Sequence, residues 1–238
     1  MTELVQAPLR ARNLFLRNFL WILIPATIAL VLLYLRPTLI DTKCGHSPEI
    51  CVKSSVPWPD AMVVGLDNPR ADEASYFTQN LSGVLAIFLP LALIFFHFRT
   101  FSITFKKWGS YLVTFLQAVA LNFAVNEVVR SVVQRPRPFV FASPLSHGTN
   151  TANYSSFYSG HVSFSAVALA TFVFFCLRMN FPKKWFLTLS FLSLILVFLT
   201  GLFRVLSGRH FITDVLVGGI LGIALAYFTH RRYLKAQL

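Results

Sequence analysis

The chain has 238 residues, 55% of them hydrophobic and only 13% charged, with a formal net charge of +12. Soluble domains carry about a quarter charged residues, and the apolar residues here come in long blocks, so a soluble globular enzyme is excluded. The basic surplus does not mark a nucleic-acid partner, because 12 of the 21 Lys and Arg residues fall on one side of a six-span arrangement, with Glu3 the only acid there.

In chain order the apolar blocks are 19–35, 81–98, 108–129, 162–177, 185–203 and 211–229. Each approaches or exceeds the ~18 residues that cross a hydrocarbon core. The first is too long for a removed leader, lacks a small-residue cleavage site and runs into Arg36-Pro37. Arg10, Arg12 and Arg17 precede it. Arg99, Lys106 and Lys107 separate the second and third blocks, Arg178, Lys183 and Lys184 the fourth and fifth, and Arg231, Arg232 and Lys235 follow the sixth. Positive charge stays on the cytoplasmic side. The expectation is therefore an all-α, polytopic membrane protein with six transmembrane helices, one domain over 1–238 and both termini cytoplasmic. His97 and His230 fall at the cytoplasmic ends.

Segment 36–80 is the first outer loop, with an excess of six acids over four bases. Its Trp58, Tyr76 and Phe77 suit either a surface-lying segment that gates lipid entry or a plain connector. Cys44 and Cys51 lie in it and can pair if that face is oxidising, as in a bacterial periplasm. His46 alone does not complete a zinc ligand set. Cys176, inside the fourth block, reads as a small core residue.

The outer ends of blocks three to six carry Arg130, Arg135, Arg137, Ser159, His161, Arg204, Arg209, His210 and Asp214. Ionisable groups near membrane depth are costly unless they share a wet cavity or pair inside the protein. Arg130 and Arg137 are seven residues apart and can share a helix face, after which Pro136 and Pro138 turn the chain out. In Ser159-Gly160-His161 the glycine admits a close ligand, a helix start favours an anion, and the histidine can move a proton near neutral pH. The bland alternative there is an N-cap serine and a packed histidine. His210 and Asp214 are four apart, so the carboxylate can orient one ring nitrogen and leave the other as a nucleophile, or the pair can merely staple helices. Glu127 reads as a counter-ion for Arg130. Arg135 and Arg209 suit either a second phosphate or lipid headgroups. Gly218, Gly219 and Gly222 permit close helix packing within the chain. Together the guanidinium forks match phosphate oxygens, and two histidines supply a nucleophile and a proton donor. That is metal-free phosphoryl transfer, with no metal or cofactor called for.

Arg130-x6-Arg137-Pro138, Ser159-Gly160-His161 and Arg204-x5-His210-x3-Asp214 resemble the three motifs of the type 2 phosphatidic acid phosphatase family, Lys-x6-Arg-Pro, Pro-Ser-Gly-His and Ser-Arg-x5-His-x3-Asp. The spacings agree, and the likeness covers 130–214 directly and the six-span layout beyond it. Arg130 stands for Lys, Tyr158 for Pro and Phe203 for Ser. These departures bear on substrate preference more than on reaction class. The resemblance implies a helical core like that of the haloperoxidases. It assigns His210 as nucleophile, Asp214 as its orienting acid and His161 as proton donor, and it gives Arg130, Arg137, Ser159, Gly160 and Arg204 to the phosphoryl group.

The function expected is hydrolysis of a membrane lipid phosphate or diphosphate at the outer face of a bacterial inner membrane. The candidates are lipid A, undecaprenyl diphosphate, phosphatidylglycerol phosphate and phosphatidic acid, and the arginines lean toward the first two. The partners are the lipid substrate and the bilayer, with no obligate protein partner. A lipid-to-lipid phosphotransferase is the alternative. An anion transporter stands behind both, because it needs ionisable groups at the membrane midplane.

Overall fold

The computed structural model describes residues 2–98 and 100–235, so Arg99 lies outside the described residues, as do the side chains of Glu3, Arg10, Arg12 and Lys235. Six helices are long and apolar enough to cross a membrane. They are α1 (Thr2–Leu39), α2 (Pro69–Phe98), α3 (Phe101–Val133), α4 (Gly160–Met179), α5 (Lys183–Leu206) and α6 (Ile212–Lys235). The described residues contain no strand, and the chain is an all-helical polytopic membrane protein as expected.

Burial ranks the helices. Of the most apolar stretch of each, 61% is buried in α4 and 50% in α3, but only 11% in α1 and α5. Helix α4 is therefore the central post, packed against α2, α3, α5 and α6, while α1 rides on α3. Tyr111, Phe115, Val167, Phe172 and Phe175 make the main core between these helices. Outward-facing Phe191, Leu194, Phe198, Leu216 and Ile220 remain exposed, as side chains that meet lipid must be. A Cβ on Gly222 would stand 2.4 Å from the Ser163 carbonyl oxygen, and one on Gly218 would stand 2.7 Å from that of Ser159. Those two glycines press α6 onto the start of α4, in keeping with close packing inside the chain.

Two boundaries differ from the apolar blocks. Helix α2 begins at Pro69, well before residue 81. Its first turns are polar and so give no hydropathy signal, yet they carry Asp72, Ser75 and Tyr76. Helix α3 stops at Val133, where Gln134 takes a left-handed φ of 47° and its N–H caps the Arg130 carbonyl.

The remaining first loop, 40–68, is not a plain connector. It folds into short helical turns at Lys43–His46, Pro48–Ile50, Lys53–Ser55 and Asp60–Val63. Cys44 and Cys51 are joined in a disulfide. The Tyr154 hydroxyl accepts from the Cys44 N–H at 2.8 Å and donates to the Gly148 carbonyl at 2.7 Å, tying this loop to the second one. Val56, Val63 and Val64 pack on Phe211, next in sequence to His210. Gly208 permits this closure, since it has a φ of +66° and a Cβ there would lie 1.8 Å from the Leu66 carbonyl oxygen.

Candidate active site

At one end of the bundle, a cavity of about 300 Å³ is lined by Arg130, Arg137, Gly160, His161, Arg204 and His210, with Tyr76 and Asn126 on its wall. The three sequence clusters thus meet around one space. They reach it by routes that differ in part from the helical spacing. Arg137 is not on the face of α3. It lies past the turn at Gln134 in extended backbone, its N–H donating to the Asn153 carbonyl at 2.8 Å, and this returns its side chain to the cavity that Arg130 faces. His210 likewise lies two residues before α6 begins, and only Asp214 is in the helix.

Gly160 opens α4. A Cβ there would stand 3.0 Å from Arg130 Nη2 and 3.1 Å from Asn126 Oδ1, so only glycine lets the helix start approach the guanidinium without displacement. Ser159 occupies the N-cap position but its hydroxyl makes no capping bond. That hydroxyl is buried without a partner, as are His161 Nε2 and the Nε atoms of Arg130, Arg137 and Arg204. Buried polar atoms are nearly always bonded. Five orphans on residues in or beside one cavity mark a place for a polyoxygen acceptor. The bland reading of an N-cap serine with a packed histidine does not account for them. The His161 ring stands edge-on to Tyr76, with centroids 4.5 Å apart.

The orienting group for His210 is not the carboxylate directly. His210 Nδ1 lies 2.7 Å from the Ser156 carbonyl oxygen, a distance that makes Nδ1 the donor and leaves Nε2 unprotonated. Asp214 Oδ2 lies 3.8 Å from the same nitrogen, outside hydrogen-bond reach. That oxygen instead accepts from the Ser156 hydroxyl at 2.5 Å and the Phe211 N–H at 2.9 Å. Ser156 therefore couples the two, its side chain on the acid and its carbonyl on the base. Burial, with Arg204, Arg137 and Arg130 nearby, holds His210 well below its usual 6.5, so its ring is neutral at pH 7.

Of the five outer arginines, the structure brings three to the cavity. Arg135 is turned away. It binds Asp214 Oδ1 at 2.6 Å and Asp60 Oδ2 at 2.7 Å, and its guanidinium lies 4.0 Å from the centre of the Phe211 ring. It is held by these two carboxylates beside the site and does not line the cavity. Arg209 shares Asp72 with Arg204, at 3.2 and 2.5 Å. Glu127 is the counter-ion expected, bonded to Arg130 at 3.0 Å and also paired with Arg36. Among the described residues Arg137 has no carboxylate partner, and its guanidinium bonds the Ser155 hydroxyl at 3.4 Å.

Sequence reasoning missed Asp60, Asp72, Ser156 and Asn126, and it read Tyr76 as part of a surface or connecting segment where the structure puts it on the cavity wall. The acidic excess of 36–80 was the available signal, since basic residues clustered at membrane depth call for acids from somewhere. Ser156 and Asn126 gave none, because one acts through its carbonyl and the other bonds the Tyr158 carbonyl at 3.0 Å.

Residues 111–237 match the model of the PAP2 superfamily. Human dolichyldiphosphatase 1 is 30% identical over 165 residues, 64% of this chain and 66% of that protein. The chain thus spans just under two thirds of that relative's length. Phosphatidylglycerophosphatase B of Bacillus subtilis is 25% identical over 85% of this chain and 91% of its own. The probable diacylglycerol pyrophosphate phosphatase 1 of Schizosaccharomyces pombe is 27% identical over 63% and 62%. No solved structure matches the chain.

Proposed function

The chain belongs to the PAP2 superfamily, and from that premise we propose that it is a membrane lipid phosphatase working through a phosphohistidine. The observation that carries the proposal is the set of five unpartnered buried polar atoms on Arg130, Arg137, Ser159, His161 and Arg204, in or beside the cavity into which His210 faces.

The chemistry runs in two balanced steps. The His210 Nε2 lone pair bonds to phosphorus as the bond to the leaving oxygen breaks, and His161, having taken a proton from the bound phosphate, gives it to that oxygen. A water then attacks phosphorus with neutral His161 taking its proton, the N–P bond breaks, and inorganic phosphate leaves. Arg130, Arg137 and Arg204 hold the equatorial oxygens as charge builds on them. Gly160 keeps the helix start close to the phosphate, and the Ser159 hydroxyl donates to it.

The substrate class proposed is a lipid with a polyanionic phosphate headgroup, lipid A or undecaprenyl diphosphate among the candidates. Arg36, Arg130, Arg135, Arg137, Arg204 and Arg209 stand against Glu127, Asp60, Asp72 and Asp214, an excess of two positive charges around the cavity to meet a headgroup. Two of the relatives named above act, by their names, on diphosphates. The site is assigned to the outer face. Lys106, Lys107, Arg178, Lys183, Lys184, Arg231 and Arg232 lie toward the other end of the bundle, and a disulfide at the site end suits an oxidising compartment.

The test uses purified chain in detergent, assayed for phosphate release from lipid mono- and diphosphates with product mass as a second readout. His210→Ala is expected to lose roughly 10⁴-fold or more in turnover. A variant that kept a tenth of the rate would remove the nucleophile. A phosphorylated lipid product in place of free phosphate would convert the reading to phosphotransfer.

A further inference from the structure

We propose that the end of the bundle opposite the catalytic cavity carries a second binding site, for a phosphate-bearing anion. A cavity of about 380 Å³ opens there between α3, α4 and α6. Along α4 it begins near Thr171 and reaches Arg178, seventeen residues past His161. At 1.5 Å per residue that is about 26 Å away, close to the ~30 Å depth of a hydrocarbon core. The second cavity therefore runs from about mid-membrane at Thr171, ten residues or ~15 Å past His161, to the opposite interface, and no lining residue is shared.

Lys106 and Lys107 of α3, Arg178 of α4 and His230 of α6 line this second cavity, and none of the described residues lining it is acidic. Inner-loop basic residues are required by topology alone, so their charge does not by itself make a site. The hydroxyls do. Tyr111 is 3% exposed and Thr171 is 2% exposed, both line the cavity, and neither hydroxyl has a partner. The neighbouring Thr114 hydroxyl bonds the Ser110 carbonyl at 3.0 Å, so satisfaction within a helix was open to residues here. Two buried donors left unsatisfied beside several cations repeat the signature of the catalytic end, without a nucleophile. A phosphate in the cavity can accept from these hydroxyls once they turn into it, while the cations balance its charge. The chemistry fits either a phospholipid headgroup or free phosphate. It does not rest on the catalytic reading, since none of these groups serves it.

The test follows the thermal unfolding midpoint of the full chain in neutral detergent during titration with phosphatidylglycerol, phosphatidylcholine or inorganic phosphate. Phosphatidylglycerol is expected to raise the midpoint with an apparent affinity that phosphatidylcholine does not match. Thr171→Val, which removes one hydroxyl at equal volume, should weaken that affinity about tenfold while leaving the lipid-free midpoint no lower than before. The pair Lys106→Gln and Arg178→Gln should weaken it further, and Arg137→Ala at the catalytic end should leave it intact. Competition by inorganic phosphate would support a site for the free ion, and lack of competition a headgroup site. Equal shifts with both lipids, an affinity untouched by all three changes at this end, or loss of binding in Arg137→Ala would overturn the proposal.

Discussion

Asp214→Asn tests whether the acid acts on His210 through Ser156 and Arg135. Asp214 accepts from the Ser156 hydroxyl and the Phe211 N–H on one oxygen, and from Arg135 on the other. Asparagine has only one acceptor atom. With its oxygen toward Ser156 and Phe211, its amide N–H group meets Arg135. Turned round, it meets the Phe211 N–H instead. Either way a buried donor loses its acceptor and the Arg135 charge loses half of its compensation, a cost of roughly 3–5 kcal/mol. One decade of rate corresponds to about 1.4 kcal/mol, so turnover falls by as much as ~10²–10⁴-fold if the loss is expressed in the transition state. The remainder appears as a lower unfolding temperature. KM should change little, because Asp214 does not line the cavity. Arg135→Gln alone should cost a similar amount by stranding Asp214 and Asp60, whereas the double variant should cost less than the two singles combined. The measurements are kcat, KM and thermal unfolding for all three proteins. Additive losses, with a coupling under ~0.5 kcal/mol, or a loss confined to KM would refute the indirect role.

Gly160→Ala places a methyl at 3.0 Å from Arg130 Nη2 and 3.1 Å from Asn126 Oδ1. It should cut kcat/KM about tenfold or more with little change in unfolding temperature, and a full-rate alanine variant would show that the helix start does not meet the phosphate. For His210, nuclear magnetic resonance of ring-labelled histidine in micelles should give a midpoint well below 6.5, because burial and Arg204 hold the ring neutral. The folded state then binds fewer protons than the unfolded chain beneath that value, so stability contributed by neutral His210 is present above pH ~6.5 and is lost as pH falls below it. A midpoint at or above 6.5 would contradict the burial argument.

Hydropathy was enough to find the six spans, because each crossing needs apolar residues whatever its partners are. It failed at polar helical turns. The first turns of α2 read as loop since Arg70, Asp72, Glu73 and Ser75 are polar, although the helix runs from Pro69. The identities of the site residues were open to reading, because few reasons exist for arginines and histidines at such depth. Their mutual geometry was not. Spacing of seven suggested a shared face for Arg130 and Arg137, but Pro136 and Pro138 end that possibility and tertiary contact with Asn153 does the positioning. Spacing of four suggested a direct His210–Asp214 bond, but the helix begins only at Ile212, so His210 is free to donate to a carbonyl from another loop. Backbone acceptors of this kind leave no mark on the identity of a side chain.

Acids of the first loop and of the start of α2 explain why the five outer arginines do not all reach the cavity. Asp60 and Asp72 come from segments with no motif and no apolar signal, yet Asp60 fixes Arg135 and Thr213, and Asp72 holds Arg204 and Arg209. A guanidinium with two good carboxylate contacts is held in place and largely neutralised. One with a single shared carboxylate keeps charge to offer, and Arg137 with none keeps most. The acids thus sort a uniform basic cluster into framing residues and receiving residues. On that argument Arg137, and not the better-tethered Arg204, should dominate recognition of the phosphoryl group. The loop carrying Asp60 and the first turns of α2 carrying Asp72 are part of the candidate site's charge balance although they contribute no reacting atom.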